Sequence, residues 1–321
     1  MDRKNSIAVI CAYFGKLPGS FGPWLLSCGY NPTIDFLLFT DQNVSEKPDN
    51  VTVVNLEFSE VQSLVNRRLG KAVNLKKPYK MCDLKPMYGV LFSEYLTVYE
   101  YWGYCDIDLV FGDLRRFLER HNYREYDKFL NLGHLTLLRN TAEINNRFKL
   151  PGSALGDWDY VITREQTLGF DEWHGIDEIY KKNGFSMFEA RIFADISIIY
   201  HRFRLALDDK NYDHQVFYWE DGHVYRAFLD KGGQAEKEEF IYIHFKQRHF
   251  QRPTFELEGC SSFFVGPDGY SERKARQFDK DTVERYNRYR GRAYERFELM
   301  RFHMDALIGK IKNRMRAIRT R

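Results

Sequence analysis

Residues 99–114 read YEYWGYCDIDLVFGDL, and the order of these letters decides the fold class. Tyr99 to Cys105 is an aromatic run of strand length, and it delivers two carboxylates at i and i+2, Asp106 and Asp108, where the run ends. Phe111-Gly112-Asp113-Leu114 then opens the helical stretch LRRFLER. A strand apolar on both faces belongs in a sheet covered on both sides, as in parallel α/β sheets. Such sheets bind ligands outside the carboxyl ends of their strands. Two carboxylates leaving a buried strand are costly unless positive charge meets them, and a divalent cation supplies it.

Upstream, strand-like and helix-like stretches alternate. Ile7 to Tyr13 (IAVICAY) is a short apolar run expected of a buried strand. The loop GKLPGSFGP follows, then a short helical WLLSC. Asp35 to Thr40 and Val51 to Leu56 are further strands, and residues 59–70 have helical spacing with a Ser start and a Gly stop. This rhythm predicts a mainly parallel, Rossmann-like α/β sheet. Downstream the pattern is mixed: strands at Phe129–Leu132 and Leu135–Leu138, and a capped helix from Thr141 to Phe148. Next come the acidic, aromatic stretch 169–184, a hairpin over residues 216–228 turning at Asp221-Gly222, and a strand over residues 240–245 carrying His244.

Composition narrows the function classes. The 321 residues suit about two domains. Forty-eight Lys and Arg against forty-five Asp and Glu give a net charge of +3, which argues against a dedicated nucleic-acid binder. The cysteines at 11, 28, 82, 105 and 260 contain no C-x-x-C pair, so neither a zinc site nor a disulfide framework is expected, and a reduced compartment is the simpler reading. The N-terminus reads as a first strand without a secretion cleavage site. No window reaches the run of about 18 apolar residues that a membrane span needs.

Asp106-x-Asp108 supports three readings. One carboxylate could cap the next helix while the other pairs with Arg115 or Arg116. The pair could be the nucleophile and general acid of a phosphohydrolase of the haloacid dehalogenase type, with Asp106 as nucleophile. That motif opens the first strand of its domain, whereas a full α/β half precedes it here, and the reading needs a lysine and a further acidic pair such as Asp208-Asp209. In the third reading the pair grips Mn²⁺ or Mg²⁺, which hard carboxylate oxygens suit, bridging the diphosphate of a nucleotide sugar.

The sequence resembles the GT-A-fold glycosyltransferases, in particular bacterial enzymes that build capsular or other surface polysaccharides. The resemblance is carried by IAVICAYFG, by YKMCDLKP at residues 79–86, by the strand feeding Asp106-Ile107-Asp108 and by the late IYIHFKQR, about 240 residues in all. It implies that Asp106 and Asp108 hold the metal with His244 completing its shell, and that Lys246 and Arg248 add positive charge near the leaving phosphate. Ala12, Tyr13 and Phe14 would lie near base and ribose, Asp83 would meet ribose or uracil, and Lys85 phosphate; Asp83 could equally cap its helix. An inverting enzyme needs a carboxylate base. Asp177 is favoured from the cluster Asp171, Glu172, Asp177 and Glu178, with Glu220-Asp221 as a second candidate or merely a hairpin turn.

The tail changes composition near residue 251. Arg301, Lys310, Lys312, Arg314, Arg316, Arg319 and Arg321 face one acid, Asp305, around an apolar stripe of Leu307, Ile308, Ile311, Met315 and Ile318. Such a helix either docks on the domain or lies on an anionic membrane. The expectation is therefore a GT-A catalytic domain over residues 1–250 and a basic helical extension over 251–321. Its activity would be metal-dependent transfer from a nucleotide sugar, most simply a UDP-sugar, to a glycan or lipid-linked acceptor. The place would be the cytoplasm, peripheral on the inner face of the cell membrane. A phosphohydrolase and a non-enzymatic carbohydrate-binding protein are the alternatives.

Overall fold

A computed structural model describes residues 6–206, 210–246, 248, 250–274 and 278–319. Asp208, Asp209 and Arg321 lie outside the described residues. The chain divides into two compact units, Met1–Ile192 and Phe193–Arg321.

The first unit begins with β1 (Ile7–Ala12), α1 (Phe21–Gly29), β2 (Asp35–Thr40), β3 (Val51–Asn55) and α2 (Phe58–Leu69). Two short helices, α3 (Met81–Leu84) and α4 (Tyr88–Leu91), precede β4 (Tyr101–Cys105), β5 (Leu109–Phe111) and α5 (Leu114–Arg120). The hairpin β6 (Lys128–Leu132) and β7 (Leu135–Arg139) leads to α6 (Ala142–Asn145), α7 (Trp158–Thr163), α8 (Ile176–Lys182) and β8 (Met187–Phe188). Seven of these strands form one sheet in the order β3-β2-β1-β4-β7-β6-β8. β1 to β4 run parallel, while β7 is antiparallel to both β4 and β6. The expected Rossmann-like mixed sheet is what the chain builds.

Local chemistry explains the boundaries. α2 starts one residue earlier than its Ser suggests because Glu57 and Glu60 form a reciprocal capping box, and it stops at Gly70 in the left-handed conformation. Asp113 caps α5 and Thr141 caps α6 through their side-chain oxygens. The core of this unit is largely aromatic and aliphatic side chains from both sides of the sheet, with Trp102, Tyr104, Tyr88 and Phe39 almost fully buried.

The second unit contains β9 (Ala194–Asp195), the hairpin β10 (Gln215–Glu220) and β11 (His223–Leu229), then β12 (Ala235–Phe240) and β13 (Tyr242–His244). It continues with β14 (Ser262–Gly266), β15 (Gly269–Glu272), α9 (Lys280–Asn287) and α10 (Arg292–Arg319). Five strands form a sheet ordered β12-β11-β10-β14-β15, and β13 pairs in parallel with β9. The single strand expected over 240–245 is two: the chain leaves the five-stranded sheet at Phe240 and joins β9 after Ile241. The compositional break at residue 251 is not where the units divide. Residues 262–272 are strands of the second unit's sheet, because Phe263, Phe264 and Val265 are buried against β10. Among the described residues the tail is helical only from Lys280. Among the described residues no helix is long and apolar enough to cross a membrane.

Candidate active site

In the first unit's sheet, β1 is flanked by β2, which follows it in the chain, and by β4, which is reached only after β3. The strand order therefore reverses at β1, and the crevice outside the carboxyl ends of β1 and β4 is where open α/β sheets take ligands. Tyr13, Asp106 and Asp108 stand at those ends. Tyr13 is half-buried, and burial, then the charge of Asp108, raises its phenol pKa. The loop after β1 is tied down at Gly15, whose N–H donates to Asp41 Oδ1 at 2.8 Å and whose φ of +94° suits glycine. Phe14 departs from expectation. It is buried, with its ring centroid 5.4 Å from that of Phe58, and is a core residue.

The D-x-D loop is held from several directions. Asp106 N–H donates to the His134 carbonyl at 3.0 Å. The Ser27 hydroxyl accepts from Phe111 N–H at 3.0 Å, and Asn31 bridges Gly112 O and Leu114 N at 2.9 Å each. The cation on Asp106 is not Arg115, which instead donates to the Thr33 carbonyl and the Tyr123 hydroxyl. It is Lys85, whose Nζ donates to Asp106 Oδ1 at 2.6 Å, to the Gly133 carbonyl at 2.9 Å and to Asp171 Oδ2 at 3.0 Å. Burial opposes the charge on Lys85, but Asp106 and Asp171 outweigh it and raise its pKa well above the usual value. With three protein acceptors and 5% exposure, Lys85 positions Asp106 rather than gripping a phosphate.

Asp171 is buried, and its pKa is raised to about 7 because burial outweighs the help from Lys85, with Asp106 and Glu172 adding repulsion. One ammonium shared by two carboxylates leaves the better-buried one under-compensated. Gly133 makes this contact possible: a Cβ there would stand 2.1 Å from Asp171 Oδ2. The loop that delivers Asp171 is held by Asp83, which accepts from the N–H groups of Leu168, Gly169 and Phe170 at 2.8–3.1 Å. Asp83 also pairs with buried Lys80 at 2.7 Å. Asp83 is thus a fully buried loop anchor, which corrects both the ribose assignment and the helix-cap alternative.

The expected base is corrected as well. Asp177 is sealed in the interior, 2.7 Å from Lys128 Nζ, with both side chains fully inaccessible. Burial raises its pKa, but no acceptor hydroxyl can reach it. Glu178 pairs with Lys182 one turn on at 2.9 Å, and this partner lowers its pKa. Of that cluster, Asp171 is the one the structure joins to the D-x-D pair, through Lys85.

In the second unit, Glu220 pairs with Arg273, and Asp221 occupies a positive-φ turn position (+46°) followed by Gly222 (+83°), as a tight hairpin requires. His244 is buried, and its Nδ1 lies 2.9 Å from Asp195 Oδ1, while Lys246 Nζ lies 2.7 Å from Asp195 Oδ2. Arg248 does not stand ready for a phosphate: its guanidinium donates to the carbonyls of Ser197, Tyr200 and His201, and burial lowers its pKa to about 10. Asp195, Lys80, Gly133 and Asn31 escaped the sequence reading. Only Lys80 carried a signal, its i,i+3 spacing from Asp83.

The donor chemistry of the first unit suits a hard divalent cation. Asp106 and Asp108 are carboxylates two residues apart on one anchored loop, both partly accessible. In the second unit, a histidine whose Nδ1 is fixed by a carboxylate is the usual arrangement of an imidazole that ligates through Nε2.

Comparison with solved structures gives a galactosyltransferase, LgtC, in complex with donor and acceptor sugar analogues, at 10% identity and a TM-score of 0.32, covering 59% of this chain and 75% of that one. It also gives mouse xyloside xylosyltransferase 1 in its apo form, at 5% identity and a TM-score of 0.37, covering 59% and 87%. Comparison with curated proteins gives no match. The family model that matches does so over residues 9–274, from β1 through the D-x-D loop to the strands beyond His244, and the chain therefore belongs to a family of unknown function (DUF6625).

Proposed function

We propose that the protein is a metal-dependent glycosyltransferase that uses a nucleotide sugar, most simply a UDP-sugar. The observation that carries the reading is the Asp106-x-Asp108 pair leaving β4 beside β1, where the strand order of a Rossmann-like sheet reverses. In this reading Asp106 and Asp108 would hold Mn²⁺ or Mg²⁺. The metal would stabilise charge on the departing diphosphate. Lys85 holds the Asp106 carboxylate in place through its 2.6 Å contact. Tyr13 offers a half-buried ring to the nucleotide, with the backbone at Ala12 beside it. Asp171 has the raised pKa of a proton carrier, and as a residue tied to Lys85 it serves to position Asp106.

The acceptor in this reading is a glycan or lipid-linked sugar of surface polysaccharide synthesis, met at the inner face of a membrane. The exposed apolar row Phe297, Met300, Met304, Leu307, Ile308 and Ile311 on α10 supports that location, since residues 301–321 hold seven Lys and Arg against one acid. A second reading, phosphohydrolysis with Asp106 as nucleophile, is favoured by one observation, the Lys85–Asp106 contact.

Calorimetric titration of UDP with Mn²⁺ and again with EDTA tests the proposal. Metal-dependent binding that Asp108→Ala abolishes is the expected result. Binding that is indifferent to EDTA and to the substitution would overturn it, and turnover of a generic phosphomonoester would install the second reading.

A further inference from the structure

The second unit carries a cleft of about 290 Å³ that none of the preceding chemistry uses. It opens where the first turns of α10 face the segment after β9. Four guanidiniums line it, from Arg202, Arg204, Arg292 and Arg296, against two carboxylates, Glu295 and Asp213. The carboxylates are already engaged. Glu295 is buried and gives one oxygen to Arg202 and the other to Arg204, and Asp213 lies 3.5 Å from Arg292. Arg202 is further tied to the carbonyls of Tyr212 and Asp213, at 3.0 and 2.9 Å. The remaining donors are unspent: Arg204 Nε is buried with no acceptor among the described residues, and Arg296 makes no ion pair among them. Arginine holds its charge at any physiological pH and presents a planar fork that matches phosphate oxygens. The positive end of α10 adds to the same potential.

We infer that this cleft is a binding site for a phosphoryl group, held by Arg204, Arg292 and Arg296. Glu295 is the strut that fixes Arg202 and Arg204 in place. The size is at the low end for a small-ligand cleft, enough for a phosphate or diphosphate and not for a large apolar molecule. The exposed apolar row of α10 begins at Phe297, next to Arg296. The phosphoryl group can therefore come from a soluble phosphate or from a lipid headgroup, and the experiment separates the two.

Inorganic pyrophosphate is titrated into the full chain at low ionic strength in EDTA, so that a metal-dependent diphosphate site stays silent. The expected result is saturable binding that Asp108→Ala leaves unchanged and that Arg292→Ala/Arg296→Ala weakens tenfold or more. Both arginines are exposed, so the double variant keeps its fold, which its melting temperature checks. In parallel, sedimentation is measured with phosphatidylglycerol and with phosphatidylcholine vesicles. Preferential binding to phosphatidylglycerol that is lost in the double variant, without pyrophosphate binding, assigns the site to a lipid headgroup. Equal binding by wild type and double variant, or binding to neither pyrophosphate nor phosphatidylglycerol, overturns the inference. Because the readout needs no metal, failure of UDP binding leaves this result untouched.

Discussion

Of the lysine–aspartate contacts buried in the first unit, those of Lys128 and of Lys85 have opposite consequences. Lys128 and Asp177 are sealed, with both side chains fully inaccessible and 2.7 Å apart. Lys85 instead serves two carboxylates, one of them Asp106, whose side chain keeps 29% of its surface open. The sealed pair neutralises itself and can meet nothing else. The open one leaves an unbalanced carboxylate within and an accessible one at its mouth, next to a second carboxylate two residues on. Burial of charge alone is therefore no sign of a site; excess carboxylate with an outlet is.

The largest expected effect breaks the sealed pair. Lys128→Met leaves Asp177 buried without its ammonium and should cost about 3–5 kcal/mol in chemical denaturation. The double variant Lys128→Met/Asp177→Leu should recover most of it, and a single variant as stable as wild type would erase the contrast. Next in size, Gly133→Ala forces a methyl toward Asp171 and should cost about 1–3 kcal/mol by the same measurement; an unchanged midpoint would show that the Lys85 cluster yields easily.

A smaller effect concerns pH. Asp171 binds its proton more tightly folded, at about 7, than unfolded, near 3.8. Its contribution to stability is full below pH 4 and fades as pH rises toward 7. Asp171→Asn should remove that decline, worth more than about 1 kcal/mol across the window, as read by melting temperature at stepped pH. Parallel profiles for the two proteins would mean that Lys85 fully compensates Asp171. The smallest change in stability, within about 0.5 kcal/mol, is expected for partly accessible Asp108→Ala. The same protein should nevertheless lose Mn²⁺-dependent UDP binding, which separates a site residue from a scaffold residue.

What could be read in advance follows the range of the interactions. Strand positions and several helix boundaries were legible because apolar runs, caps and Gly stops act over a few residues, as Thr141 and Gly70 show. The D-x-D pair was legible because strand and loop are contiguous. Its cation was not legible as such: Lys85 lies 21 residues upstream, and its second partner, Asp171, 86 residues beyond it. Asp177 misled because an acid in the first turn of a helix looks solvated, and only the fold reveals that α8 presents it to Lys128. The break at Ile241 was hidden since both sheets accept the same apolar alternation.

That break makes β12 and β13 a ruler. Phe240 is the last residue registered against β11, opposite Val224, and His244 is four residues on, registered against Asp195. With a single residue between the two sheets there is no slack to absorb an error. A two-residue slip of β12 along β11 would carry His244 past Asp195 by about 6–7 Å. The placement of one imidazole is thus calibrated by the register of the neighbouring hairpin, and an insertion or deletion near Ile241 would be read out first at His244.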